Sequence, residues 1–385
     1  MTEVQEWLES RAEEMAQLLE ELIAIDTENP PGRGLGRCGR ALHDALERLG
    51  LSPELIELEP SGELEEPCVV RGSVGDGPRT LYLHGHFDVV PAQDRAQFTP
   101  RREDGRISGR GSADMKGGLV SMLYGAAAAC ELGLLGGGRI VLHLVCDEET
   151  GSTVGSGHLR EAGLIDPDAV AMLTPEPTGG VVWHASRGAI TLRVGLKGRE
   201  AHVGQANLGV NAFEHMLQVA EPLRRLAQEL RGSTLVVGGA SGSGANFNVV
   251  PGSAWFSVDD RFDPDHDLDD ELSRLTGTIA DAAAAAGAEV DVEVLQRAPS
   301  AAGDESHPAA LALARCVERV EGEPPRFELC PGTLEIRWYA ELGIPAFAYG
   351  AGRLDVSHGP AEFIDEAAMR RCAAVYALAA GELLG

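Results

Sequence analysis

The chain contains no C-x-x-C pair, and its seven cysteines, Cys38, Cys68, Cys130, Cys146, Cys316, Cys330 and Cys372, are scattered. An odd, unpatterned set in a long chain reads as reduced thiols in the cytoplasm. No apolar run approaches the roughly 20 residues that a membrane helix needs. The opening segment, MTEVQEWLESRAEEMAQLL, is acidic and amphipathic where a signal peptide would be basic and then apolar. Positive charge is scarce: 32 Lys and Arg stand against 60 Asp and Glu, for a net charge of −28. That balance argues against nucleic acid and anionic membranes as partners. It leaves a small anionic substrate open, because surface charge is screened over about 8 Å at physiological salt. No serine sits in a G-x-S-x-G elbow. Gly34, Gly36 and Gly39 fit G-x-G-x-x-G, but they follow a Pro-Pro turn instead of a strand, so the dinucleotide reading fails.

At 385 residues the chain is long enough for two domains. Val4, Trp7, Leu8, Met15, Leu18, Leu19 and Leu22 recur at helical spacing and predict one amphipathic helix over 3–25. A second helix is expected over 38–49. Short Leu, Val and Ile-rich strands at Thr80–His84, Arg139–Cys146 and Ala169–Thr174 alternate with helical stretches, the mark of an α/β layer. Near 180 the pattern changes. Ile190, Leu192, Val194 and Leu196 alternate strictly, a helix follows at 210–231, strands at 246–262, a helix at Leu268–Ile279 and a strand at Val290–Val294. The order β-α-β-β-α-β predicts a small ferredoxin-like α+β domain inserted into a larger α/β one. The expected divisions are 1–179 and 296–385 for the large domain and 180–295 for the insert, with Ile344–Tyr349 a late strand.

Five segments end a strand, or follow one closely, with His, Asp or Glu: LYLHGHFDVVP, GRGSADMKGG, VCDEETGS, LTPEPTGG and VSHGPAEFI. Ligands and catalytic groups collect at strand ends in α/β sheets. A pair of divalent ions needs several carboxylate and imidazole ligands, one of them shared, and this mixture suits zinc, cobalt or manganese.

Taken together, these motifs resemble the family of acetylornithine deacetylase, succinyl-diaminopimelate desuccinylase, aminoacylase-1 and the bacterial glutamate carboxypeptidases. The resemblance runs from the NPPG turn to SHGPAEFI. It implies a zinc-peptidase-like catalytic domain with an inserted lid that forms a homodimer. It also implies two divalent ions, zinc before cobalt or manganese. His86 and Glu176 would complete one metal site, Glu149 and His358 the other, and Asp114 would bridge them. Asp88 would orient His86, and Glu148 would act as general base. His202, in GREAHVG, would reach across the dimer to an oxyanion. Asn248 and Arg261 would bind the substrate carboxylate, with Gly332 and Thr333 near the pocket. Two divalent cations, three carboxylates and a hydroxide balance in charge, so a carboxylate substrate needs a separate cation, and Arg261 is the candidate.

The segment PGTLEIRWYAELGIP departs from the G-T-D-A-R common among relatives: Gly332, Thr333 and Arg337 are kept, with Leu334, Glu335 and Ile336 between them. The departure bears on the substrate. Bland readings stand beside several assignments. Asp88 could be a turn former before Val89-Val90-Pro91, and His202 an ordinary lid residue. Arg261 could be an ion-pair partner of Asp259, Asp260 or Asp263. The function expected is hydrolysis of an N-acyl amino acid or similar small carboxylate substrate in amino acid metabolism. The alternatives are a dipeptidase or carboxypeptidase with the same metal centre, and an inactive binding protein on this fold.

Overall fold

The computed structural model describes residues 2–62 and 64–385. They gather into two units: Met1–Ala185, Ala302–Leu329 and Glu335–Gly385 form the first, and Ser186–Ala301 with Cys330–Leu334 the second. Among the described residues no helix is long and apolar enough to cross a membrane.

The first unit is built on a mixed sheet. Its strands run in the order Glu54–Glu57, Cys68–Val74, Arg139–Val145, Thr80–His86, Ala171–Thr174, Ala346–Ala348 and Val182–Ser186. The four from Arg139–Val145 to Ala346–Ala348 are parallel, with antiparallel neighbours on both sides. Every residue of Thr80–His86 and of Ala171–Thr174 is buried, as parallel strands covered on both faces must be. Helices Gly117–Glu131 and Glu366–Leu384 pack closely against each other. A Cβ on Gly125 would come within 2.7 Å of the Cβ of Tyr376, so glycine permits that approach.

The single helix expected over 3–25 is two, Glu3–Ser10 and Ala12–Ile23. The break is at Arg11, whose ψ of 11° leaves the helical range. Its guanidinium lies 4.1 Å from the Trp7 ring centroid and 3.3 Å from Glu131. Apolar spacing alone did not carry that local preference.

The second unit has the order strand Gly188–Lys197, helix Ala212–Glu229, strands Ser233–Ser243 and Ser253–Phe262, helix Leu268–Ala286 and strand Glu289–Ala298. Its antiparallel sheet runs Ser233–Ser243, Ser253–Phe262, Gly188–Lys197, Glu289–Ala298. Ile190, Leu192, Val194 and Leu196 pack with Val219 and Leu223 of one helix and Leu275 and Ile279 of the other in a separate core. The sequence-based limits at 180 and 295 fall short of Ser186 and Ala301. Strand Val182–Ser186 pairs with Ala346–Ala348 of the large sheet, and the last strand of the small one continues to Ala298.

Candidate metal centre

The first unit's parallel strands deliver acidic and imidazole side chains at their carboxyl ends. His86 is the last residue of its strand and lies in register with Val145, the last of the neighbouring strand. Glu148 and Glu149 follow Val145 after a two-residue link, and Glu176 follows the strand Ala171–Thr174. Asp114 lies in the tight segment Ser112–Lys116 that leads into helix Gly117–Glu131. His358 precedes the strand Phe363–Asp365 and takes a left-handed φ of 62°.

These side chains meet around Asp114. Its Oδ1 lies 3.5 Å from Nε2 of His86, and its Oδ2 lies 3.2 Å from Nε2 of His358. One carboxylate thus faces two imidazoles with different oxygens. Glu149 Oε1 is 3.4 Å from Nε2 of His358, and Glu148 Oε2 is 4.0 Å from Nε2 of His86. The two adjacent glutamates therefore diverge to opposite ends of the cluster. They do so from a 3-10 turn, Glu148–Thr150. The turn starts at Asp147, which sits at φ 68°, a region that side chains other than glycine seldom adopt.

Asp88 is fully buried and binds that turn. Its carboxylate accepts the backbone N–H of Glu148 and of Glu149, both at 3.2 Å, and the Asn29 amide at 2.9 Å. Nδ1 of His86 is 3.0 Å from the Asp88 carbonyl oxygen and 3.3 Å from its Oδ1, so the backbone carbonyl is the nearer acceptor. Either one fixes the tautomer that leaves Nε2 towards Asp114.

The electrostatics call for cations. Burial pushes the carboxyls of Glu148 and Glu149 up, and that of Glu176 up to about 8. Burial would also raise Asp114, but hydrogen bonds from His358 and His86 hold it well below the usual range. Burial opposes charge on His86, yet Asp114 and Asp88 raise it well above its ordinary value. Asp114 and Glu149 raise His358 to about 10. Oε1 of Glu149 and Oε1 of Glu176 are buried without a hydrogen-bond partner. Ligand atoms of His86, Asp114 and Glu149 lie within 4.8 Å of one another. Orphaned buried carboxylate oxygens beside two imidazoles are the donor set that divalent ions take, and the residues fit such a centre.

This arrangement predicts proton release on metal loading. In the metal-free protein the folded pKa of His358 lies above its unfolded value. Its stabilising contribution is therefore complete below the unfolded pKa and is lost as pH rises through about 10. A metal needs the neutral imidazole instead. Zinc titration near pH 7 is expected to expel protons from His86 and His358, and also from the Glu176 carboxyl, which burial raises to about 8. Calorimetry in two buffers of different ionisation enthalpy measures this, and metal affinity is expected to fall as pH is lowered. Proton-neutral binding would contradict it.

The remaining sequence-picked residues belong to the second unit. His202 pairs in register with Val249, next to Asn248, and Val203 donates its N–H to the Asn248 carbonyl at 3.0 Å. His202 and Asn248 are exposed. Arg261 forks onto Asp259, with Nε at 2.8 Å and Nη2 at 3.1 Å. Gly332 and Thr333 lie in Cys330–Leu334, where the Gly332 carbonyl accepts the Arg187 N–H at 3.0 Å.

Four residues that no motif singled out support the centre. Asn29 bridges Asp88 and Thr150, both at 2.9 Å. Glu362 accepts the N–H of Ala113 at 3.0 Å and of Asp114 at 3.1 Å. Arg110 holds Glu362 at 2.5 Å and the His358 carbonyl at 3.2 Å, so one buried ion pair ties Asp114 to His358. The Asp147 carboxylate accepts the N–H of Val154 and Gly155 at 2.8 Å each. All four fall inside quoted motifs: Asn29 in NPPG, Arg110 in GRGSADMKGG, Asp147 in VCDEETGS and Glu362 in SHGPAEFI. Nothing in the spacing distinguishes Arg110 from a surface arginine.

The family model of peptidase family M20/M25/M40 matches residues 82–382, and the chain belongs to that family. It is an amide-bond hydrolase of that metal-dependent class, and the cluster around Asp114 is its candidate metal centre. The N-formyl-4-amino-5-aminomethyl-2-methylpyrimidine deformylase of Halalkalibacterium halodurans is 23% identical over 398 residues, covering 93% of this chain and 91% of that one. A probable succinyl-diaminopimelate desuccinylase of Staphylococcus epidermidis is 29% identical over 214 residues. That match covers 54% of this chain and 50% of the relative, half its length. The M20 family metallo-carboxypeptidase Sso-CP2 of Sulfolobus solfataricus has a similar fold, with a TM-score of 0.82 at 17% identity over 96% of this chain and 99% of that one.

Proposed function

We propose that the protein removes a small acyl group from an N-acyl amino acid or similar small carboxylate substrate, using two divalent ions, zinc before cobalt or manganese. The observation that carries this is Asp114, whose two oxygens face His86 and His358 while Glu149 and Glu176 each bring a buried oxygen without a hydrogen bond. In this reading His86 and Glu176 hold one ion, Glu149 and His358 the other, and Asp114 both. Bound there, the ions would acidify water and polarise a carbonyl. Glu148 takes the proton of the attacking water and returns it to the leaving amine. Burial raises its pKa well above the usual carboxylate range, the direction that suits a proton shuttle. Asp88 orients His86 and the base-bearing turn. His202 donates a hydrogen bond to the tetrahedral oxyanion.

The experiment is hydrolysis by zinc-loaded protein of a panel of N-acyl amino acids, dipeptides and N-formyl amines lacking a carboxylate. The reading predicts that N-acyl amino acids are cleaved fastest. A requirement for a substrate ammonium group would replace it with the dipeptidase reading. Preference for the N-formyl amine would align the chain with the deformylase and remove the carboxylate from the account.

Arg261 is the proposed carboxylate anchor, with Asn248 beside it in the role and Gly332 and Thr333 near the pocket. The substrate must then displace Asp259 from the guanidinium fork. A lysine cannot reproduce that bidentate contact. Arg261→Lys is expected to lower kcat/KM by roughly 2–5 kcal/mol on the free acid, if the pair is desolvated. The amidated substrate is expected to be poor for the wild type and indifferent to the change. Equal losses on acid and amide would leave Arg261 as the ion-pair partner of Asp259 alone.

The proposal includes a cytoplasmic homodimer formed through the second unit. Cys38, Cys68, Cys130, Cys146, Cys316 and Cys372 are free thiols. Phe213 and Leu217 share an exposed helix face, and Ser233–Ser243 is an edge strand carrying exposed Val236. Apolar surface beside an unpaired strand edge suits a partner. If His202 acts on the partner's site, mixing inactive His202→Ala and Glu148→Gln proteins under subunit exchange regenerates one intact site per mixed dimer. An active, stable monomer would contradict this.

A further inference from the structure

Glu335, part of the segment that the sequence ties to the substrate, is fully buried in the first unit. It contacts no solvent, and so it cannot line a pocket. It directly precedes the short helix Ile336–Ala340 without a capping bond from its side chain, and its two oxygens face different parts of the fold. Oε2 takes Nε2 of His84 at 2.8 Å and the hydroxyl of Ser156. Oε1 takes the hydroxyl of Ser152, with Arg337 Nη2 at 3.7 Å. Arg337, itself buried, donates to the Gly151 carbonyl at 3.2 Å.

The positions of these partners matter more than their number. His84 lies two residues before His86 on the same strand. Gly151, Ser152 and Ser156 lie just beyond Glu148 and Glu149. The turn between them is strained: Asp147 has φ 68° and Ser152 φ 65°, both left-handed and neither glycine. Such conformations cost of order 1–3 kcal/mol each and persist only where surrounding contacts impose them. At the start of the turn the Asp147 carboxylate supplies those contacts. A Cβ on Gly155 would lie 2.5 Å from the Cys146 carbonyl oxygen and 3.0 Å from Asp147 Oδ1, so the chain closes tightly there. At the end of the turn the contact is Glu335. Tyr339, one helical turn further on, continues the link: its hydroxyl lies 3.0 Å from Nδ1 of His84 and 2.7 Å from Nδ1 of His143.

We propose that Glu335 is a positioning residue that locks the turn presenting Glu148 and Glu149 to the strand presenting His86. This rests on the role proposed above for that turn. The departure Leu334-Glu335-Ile336 then acts through the geometry of the base and not through substrate contact. A glutamine of the same size is uncharged and has a single acceptor oxygen. Its NH2 can only donate, so either Arg337 on the Ser152 side or the His84 and Ser156 donors on the other lose their carboxylate acceptor.

The test compares Glu335→Gln with wild type in three measurements. On zinc-loaded protein, kcat is expected to fall at least about tenfold with KM within about twofold, since a misplacement of roughly 1 Å can cost up to ~10² in rate. On metal-free protein, hydrogen exchange of amides in 147–156 is expected to speed up about tenfold or more, while Ala171–Thr174 stays protected. Ser152→Ala, which leaves His84 and Ser156 on Glu335, is expected to show the same pattern more weakly. It carries the test if Glu335→Gln does not fold. A raised KM with unchanged kcat would make Glu335 a substrate determinant and overturn the proposal, as would unchanged exchange in 147–156. Exchange is read without substrate or metal. An inactive wild type would therefore refute the proposed function while the positioning role is still decided.

Discussion

Glu148→Gln is expected to keep both metal sites and substrate binding while kcat falls by several orders of magnitude. General acid–base help alone is worth roughly 10²–10⁴-fold, and in the proposed mechanism one carboxylate serves two proton transfers, so the loss belongs at or beyond the upper end of that range. The geometry separates this residue from its neighbour. Glu148 Oε2 stands 4.0 Å from the His86 ring, whereas Glu149 reaches His358 at 3.4 Å with an oxygen that has no hydrogen bond. Glu149→Gln is therefore expected to weaken one of two metal-binding events, and titration calorimetry separates the two variants. A loss below tenfold for Glu148→Gln would place the base elsewhere.

That contrast also shows how much of the centre can be read from the chain. Three of the five segments, those of His86, of Glu148 and Glu149, and of Glu176, are legible because each follows an apolar strand of the parallel sheet, which brings their ends together; Asp114 and His358 come from outside that sheet. The alternating pattern of Ile190–Leu196 likewise exposes the second unit's sheet. What spacing does not give is the support. Asp88 takes two backbone N–H groups of the glutamate turn, a contact across 60 positions that no local pattern encodes. Arg110 and Glu362 are 252 positions apart, and only the fold makes them one ion pair. Glu335 reads from sequence as a pocket residue because its neighbours Gly332 and Thr333 do, yet burial places it in the core. The break at Arg11 and the 3-10 turn at Glu148 were missed for the opposite reason. Both are local choices of backbone angle that hydrophobic periodicity does not record.

The second large effect is metal removal, and it tests the central claim most directly. His86 and His358 share Asp114, and burial raises Glu148, Glu149 and Glu176 for want of positive charge. The site is therefore built around cations and has no catalytic competence of its own to fall back on. The measurement is elemental analysis and amide hydrolysis on the same samples: as purified, after exhaustive chelation, and after zinc or cobalt is returned. The account predicts close to two divalent ions per chain in active protein, no detectable hydrolysis once they are gone, and recovery that tracks reloading. Full hydrolysis by protein shown to hold no metal would contradict it.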